Sequence, residues 1–133
     1  IRDRITAAPI TDYPATLACF AKFDTLGAQR DLVGIFDISE TDTRVRIGPT
    51  ALSMINAQID NAGTTLNAAG GGSATAIATN RVHHIAGVYR TSTDIEAYKD
   101  GRSEGTGTSP TTTWPGGLDT LAIGYQADSS PTN

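Results

Sequence analysis

The run from Asn80 to Gly107 constrains the fold more than any other part of the chain. Residues 82–91 (VHHIAGVYRT) read as one strand, Ser92 and Thr93 as a tight connection, and Asp94 to Lys99 as the returning strand. Asp100-Gly101 then marks a two-residue hairpin turn, because both central positions of such a turn favour positive φ, which Asp and Gly tolerate at least cost. Arg102 to Thr108 pairs back. Local chemistry alone therefore predicts a three-stranded antiparallel meander.

The rest of the chain reads as short strands separated by turn clusters, the pattern of an all-β antiparallel sandwich or jelly roll. Ala15 to Asp24 alternates, with Leu17, Cys19, Ala21 and Phe23 on one face and Thr16, Ala18, Phe20 and Lys22 on the other. An aromatic on each face predicts a central strand covered on both sides. Asp31 to Ile38 is apolar enough for a buried strand. Thr43 to Gly48 alternates Arg44 and Arg46 with Val and Ile, which predicts one solvated face. Ala51 to Asp60 is a further strand, ending at the turn Asp60-Asn61-Ala62-Gly63. Ala68 to Ser73 holds three glycines without the Lys-Ser/Thr of a phosphate loop, so it reads as a connection. Ala74 to Asn80 reads as a small-residue strand, Ser109 to Gly117 as a loop, Leu118 to Tyr125 as the last strand, and Gln126 to Asn133 as a loose tail. A single domain over residues 1–133 fits this length, and few aromatics (6%) leave the core to Val, Ile and Leu.

Charge narrows the partners. The net charge is −4 with both signs interspersed, so no basic stripe for nucleic acid exists. No apolar run approaches a membrane span. Cys19 stands alone between apolar neighbours, as a buried, inert thiol would.

Within the meander, His84-Ile-Ala-Gly-Val-Tyr89, Ile95, Tyr98, Asp100-Gly101 and Gly105 resemble the hallmark of laminin-G-like, concanavalin A-like modules. Leu121-Ala-Ile-Gly124 resembles that family's closing strand, and Tyr13-Pro14 through Phe20 its early strand. The resemblance spans roughly residues 7 to 125. Val82 stands where the family usually has Trp, Arg90 where it often has Asp, and Lys99 where it prefers Val. It implies a concanavalin A-like jelly roll lacking its last strand, with a neighbouring subunit or further polypeptide as the source of the missing element.

Candidate sites are sparse. His83 and His84 are adjacent on a strand and point to opposite faces, so they cannot share a metal. His84, on the Ala86/Val88 side, is expected in the core and His83 at the surface. The loop acids Asp37, Glu40 and Asp42 match no ligand template, so no cofactor is expected, with calcium kept as the alternative. Asp94 and Glu96 have the i, i+2 spacing of glycosidase carboxylates but no third member. Trp114 lies in a Thr/Pro/Gly loop where an aromatic could stack on a sugar, with Tyr125 and Asp128 as companions; these three are the expected ligand-binding residues.

The leading expectation is a non-catalytic structural or adhesion module, on a virion surface or otherwise extracellular. As a capsid decoration or fibre-type protein it would contact protein neighbours or copies of itself. The Ala8-Pro9…Tyr13-Pro14 opening and the Ala/Thr/Gly-rich texture are similar to phage and bacterial surface proteins. The alternative is a carbohydrate-binding module, and a glycan-active enzyme ranks third.

Overall fold

A computed structural model describes residues 3–6, 10–27, 30–37, 39–40, 42–69, 75–108 and 113–124. Among the described residues ten strands follow one another: β1 (Asp3–Thr6), β2 (Ala15–Lys22), β3 (Val33–Phe36), β4 (Arg44–Pro49), β5 (Ile55–Asn61), β6 (Thr64–Ala69), β7 (Val82–Thr91), β8 (Asp94–Lys99), β9 (Arg102–Gly107) and β10 (Thr120–Ile123). They form two antiparallel sheets, one of six strands in the order β1-β10-β3-β4-β5-β6 and one of four in the order β2-β7-β8-β9.

The core lies between the sheets and follows the two-residue period of each strand. Val33, Ile35, Val45, Ile47, Ile55 and Ile59 face inward from the large sheet. Leu17, Ile85, Tyr89, Ile95 and Ala97 answer them from the small one. Gly87 sets the closest approach, since a Cβ there would sit 2.4 Å from Ile47 Cγ2. That room lets Tyr89 cross the core and donate its hydroxyl hydrogen to the Arg46 carbonyl at 2.6 Å.

The meander appears as expected. Asp100 (φ 52°) and Gly101 (φ 79°) make the β8–β9 turn, and Ala62 (φ 47°) with Gly63 (φ 84°) makes the turn after Asn61. That second turn leads into β6, which pairs with β5 from Asn61↔Thr64 to Asn56↔Ala69 and which the sequence pattern did not single out. A bulge at Ala97/Tyr98 aims Glu104 inward.

Three expectations are corrected. β2 lies at the edge of its sheet, and Phe20 is 76% exposed; an aromatic on each face of a strand does not require cover on each face. Residues 75–78 form no ladder. They are instead held by buried Lys99, whose ammonium donates to the Thr75 and Ala76 carbonyls, and by Glu104, which accepts from Thr75 N at 2.8 Å. His83, not His84, faces the core, because Tyr89 and Ile85 fix the inward parity of β7. His83 is 3% exposed, with Nδ1 2.8 Å from Asp100 Oδ2 and Nε2 3.1 Å from the Ala78 carbonyl. His84 lies on the outer face against the Phe20 ring, at a centroid distance of 5.0 Å.

Candidate functional site: a polar cleft backed by a buried network

The outer face of the six-stranded sheet is built by alternation. Wherever Val45, Ile47, Ile55, Ala57 and Ile59 point inward, Arg44, Arg46, Asn56, Gln58 and Asp60 must point outward. Strand register sets Arg44 opposite Asp60 and Arg46 opposite Gln58. This face is not solvated as expected: Arg46 is 4% exposed, Asn56 and Gln58 7%, and Asp60 4%. The polar groups escape the desolvation penalty by bonding one another.

Gln58 is the hub. Its Oε1 accepts from Arg46 Nη2 at 2.6 Å and from Asn56 Nδ2 at 3.1 Å, while its Nε2 donates to both Asp60 carboxylate oxygens at 2.8 Å. Asp60 also accepts from Arg44 Nε at 2.7 Å and from the Thr65 hydroxyl at 2.6 Å. Burial alone would raise the Asp60 carboxyl, but the bonds from Thr65, Gln58 and Arg44 outweigh it and hold it below the usual range. Arg46 completes the chain by an ion pair with Asp31. Burial pushes the Asp31 carboxyl up despite that pair, and its Oδ2 has no hydrogen-bond partner among the described residues.

Asp31 joins this network to a cleft of about 430 Å³. One wall is residues 22–25, where β2 ends; the other is residues 30–32, where the chain approaches β3; Gly124 borders both. The second wall is pinned to β4 by Leu32 N donating to the Ile47 carbonyl at 2.9 Å and Arg30 N donating to the Pro49 carbonyl at 3.3 Å. Gly48 is required beneath it, because a Cβ there would lie 1.8 Å from the Arg30 carbonyl oxygen. Buried Phe23 and half-buried Leu32 supply apolar surface, and Lys22, Asp24, Thr25 and Arg30 supply donors and acceptors. A preformed concavity with apolar walls and a few polar groups is the usual form of a small-ligand site.

Of the ligand-binding residues expected from sequence, the one that is described lies elsewhere. Trp114 packs edge-on to Tyr13 at 4.9 Å and to Tyr89 at 6.4 Å, against the core. Its Nε1 is buried without a partner among the described residues. Because Tyr13 precedes β2 and Lys22 ends it, Trp114 and the cleft lie at opposite ends of that strand. Tyr125 and Asp128 fall outside the described residues. Asp37 accepts from Ser39 N at 2.9 Å and from the Ser39 hydroxyl at 2.6 Å, closing its own turn. Among the described residues no three of His, Cys, Asp or Glu converge as metal ligands, and no helix is long and apolar enough to cross a membrane.

Asp94 and Glu96 both bind Arg90, at 3.2 and 2.6 Å, and Glu96 also accepts from the Tyr98 hydroxyl at 2.6 Å. Burial opposes ionisation of Glu96, but bonds from Ser103, Tyr98 and Arg90 prevail and lower its pKa to about 2. A carboxyl held there is ionised at neutral pH, whereas a glycosidase acid must stay protonated. Cys19 is half-buried and burial raises its thiol, which disfavours the reactive thiolate.

No curated protein matches the chain in sequence. Among solved structures, the CBM40 module of a Ruminococcus gnavus IT-sialidase, bound to α2,3-sialyllactose, superposes with a TM-score of 0.69 at 13% identity, over 86% of this chain and 65% of that one. Domains LG4-5 of the mouse laminin α1 chain give 0.63 at 18% identity, over 99% and 36%. Domain 4 of the extracellular arabinanase AbnA of Geobacillus stearothermophilus, in complex with arabinotriose, gives 0.59 at 14%, over 91% and 56%. The chain thus spans at most about two-thirds of these structures, and at such identities the likeness is one of fold. The model of the concanavalin A-like lectin/glucanases superfamily, of laminin-G type, matches residues 4–133, and with both sheets in place the chain belongs to that superfamily.

Proposed function

We propose that this domain is a non-catalytic carbohydrate-binding module that works outside the cell, holding a glycan in the cleft between residues 22–25 and 30–32. The observation that carries the reading is the cleft itself: polar donors and acceptors stand beside apolar surface from Phe23 and Leu32. A sugar ring needs that combination, since its hydroxyls both donate and accept while its C–H face is apolar. The sialidase and arabinanase modules, solved with sialyllactose and arabinotriose, support the reading by fold, as does the extracellular setting of the arabinanase. The engagement of Asp94 and Glu96 by Arg90 supports a role without catalysis. A glycan array with the wild type and with Asp24→Ala/Thr25→Ala tests it. Binding to a defined set of glycans that the double variant loses is expected; no binding to any glycan overturns it.

A second reading, a protein-contacting module displayed on a large assembly such as a virion surface, is favoured by the outer face of the four-stranded sheet. There Phe20 (76% exposed) and Val82 (59%) flank His84. Sedimentation of wild type and Phe20→Ser/Val82→Ser separates the two: self-association lost in the variant supports assembly, and a monomer in both removes self-assembly.

A further inference from the structure

Two cations and two carboxylates line the cleft, and three of these four are engaged by partners among the described residues. Lys22 lies 3.6 Å from Asp24, so those two offset each other. Asp31 is paired with Arg46 and its side chain has no exposed area. Arg30, by contrast, is exposed and makes no side-chain hydrogen bond or ion pair among the described residues. Among the described residues the cleft therefore offers one uncompensated cation, and it does so in a chain of net charge −4, where such a guanidinium is not part of a general basic surface.

We infer that the cleft selects a glycan terminus bearing a carboxylate, anchored by the Arg30 guanidinium; this rests on the glycan-binding reading above. A guanidinium presents two parallel N–H donors that match the two oxygens of a carboxylate, a geometry that no neutral sugar hydroxyl reproduces. The backbone of Arg30 is preset: its N–H is bonded to the Pro49 carbonyl and its own carbonyl rests over Gly48. Less backbone freedom is lost when the ligand binds, so more of the ion pair is retained as affinity. Phe23 and Leu32 then take the apolar face of the ring, which places the acid group at the polar side of the cleft.

The test is titration calorimetry with matched pairs, sialyllactose against lactose and trigalacturonate against its methyl ester, on the wild type, Arg30→Gln and Arg30→Lys. At least one acid is expected to bind about tenfold or more tightly than its neutral partner, as a charged hydrogen-bonded pair supplies, and less so as salt rises. Arg30→Gln removes the preference for the acid over its neutral partner, and Arg30→Lys restores part of it. Being exposed, Arg30 can be replaced without unfolding the protein. Equal binding of acid and neutral partners, or a preference that survives in Arg30→Gln, overturns the inference and leaves the glycan reading standing. Binding of none of these sugars overturns the inference, and the glycan array decides the wider reading.

Discussion

Replacing Arg46 by methionine keeps most of the volume of a side chain that is only 4% exposed but strands the Asp31 carboxylate, whose side chain has no exposed area. Breaking a buried pair from one side costs about 3–5 kcal/mol, because the remaining charge stays buried without its partner. Gln58 Oε1 also loses a donor at 2.6 Å. Taking about 4 kcal/mol and a urea slope of about 2 kcal/mol per M, the unfolding midpoint at pH 7 should fall by about 2 M. The pH dependence gives a sharper check. The Asp31 carboxyl is already raised by burial in the wild type. A carboxyl raised in the folded state binds its proton more readily there than in the unfolded chain, so stability is greatest below the unfolded value and is lost as pH rises toward the folded one. Without Arg46 that window extends further upward, so the mutational loss should shrink substantially at pH 4. Adding Asp31→Asn removes the stranded charge, and the double variant should regain more than half of the loss. Urea melts of the four proteins at pH 4 and pH 7 decide it. A shift below about 0.5 M at pH 7, an equal shift at both pH values, or strict additivity in the cycle refutes the reasoning.

Further outcomes follow from single contacts. NMR titration should place the Glu96 carboxyl near 2, and Arg90→Gln should move it toward the ordinary range; its contribution to stability is present above the unfolded glutamate value and is lost as pH falls toward 2. Gly87→Ala should destabilise by about 1–3 kcal/mol in thermal melts, since its Cβ would lie 2.4 Å from Ile47 and neither sheet can retreat freely. Trp114→Ala should cost about 3 kcal/mol through its contacts with Tyr13 and Tyr89. If the cleft is the site, the folded Trp114→Ala protein keeps its glycan-array profile; a lost profile with an intact fold returns the site to Trp114.

Much of the fold could be read from residues close together in the chain. The Asp100-Gly101 turn depends on φ values that two adjacent residues prefer, and the parity of β5 is visible as Ile55, Ala57 and Ile59 against Asn56, Gln58 and Asp60. Parity alone did not say which side of β7 faces inward, because His83 and His84 are alike and Ala86 and Val88 are as apolar as Ile85. Tyr89 and the space at Gly87 settled it through contacts with the opposite sheet. Nor could alternation reveal that Arg46 of β4 is buried. Its partners, Asp31 and Gln58, lie 15 and 12 residues away and meet it only through sheet pairing. The cleft has the same origin: Lys22, Arg30 and Gly124 share no motif, and the path of residues 30–32 across Gly48 places them together. The sequence by itself therefore determined most strands and turns, set by short-range periodicity and turn chemistry, while the superfamily was legible only as a resemblance of the His84–Tyr89 and Asp100-Gly101 stretch to its hallmark. The tertiary structure decided the buried network and the cleft, because both depend on pairing between segments far apart in the chain.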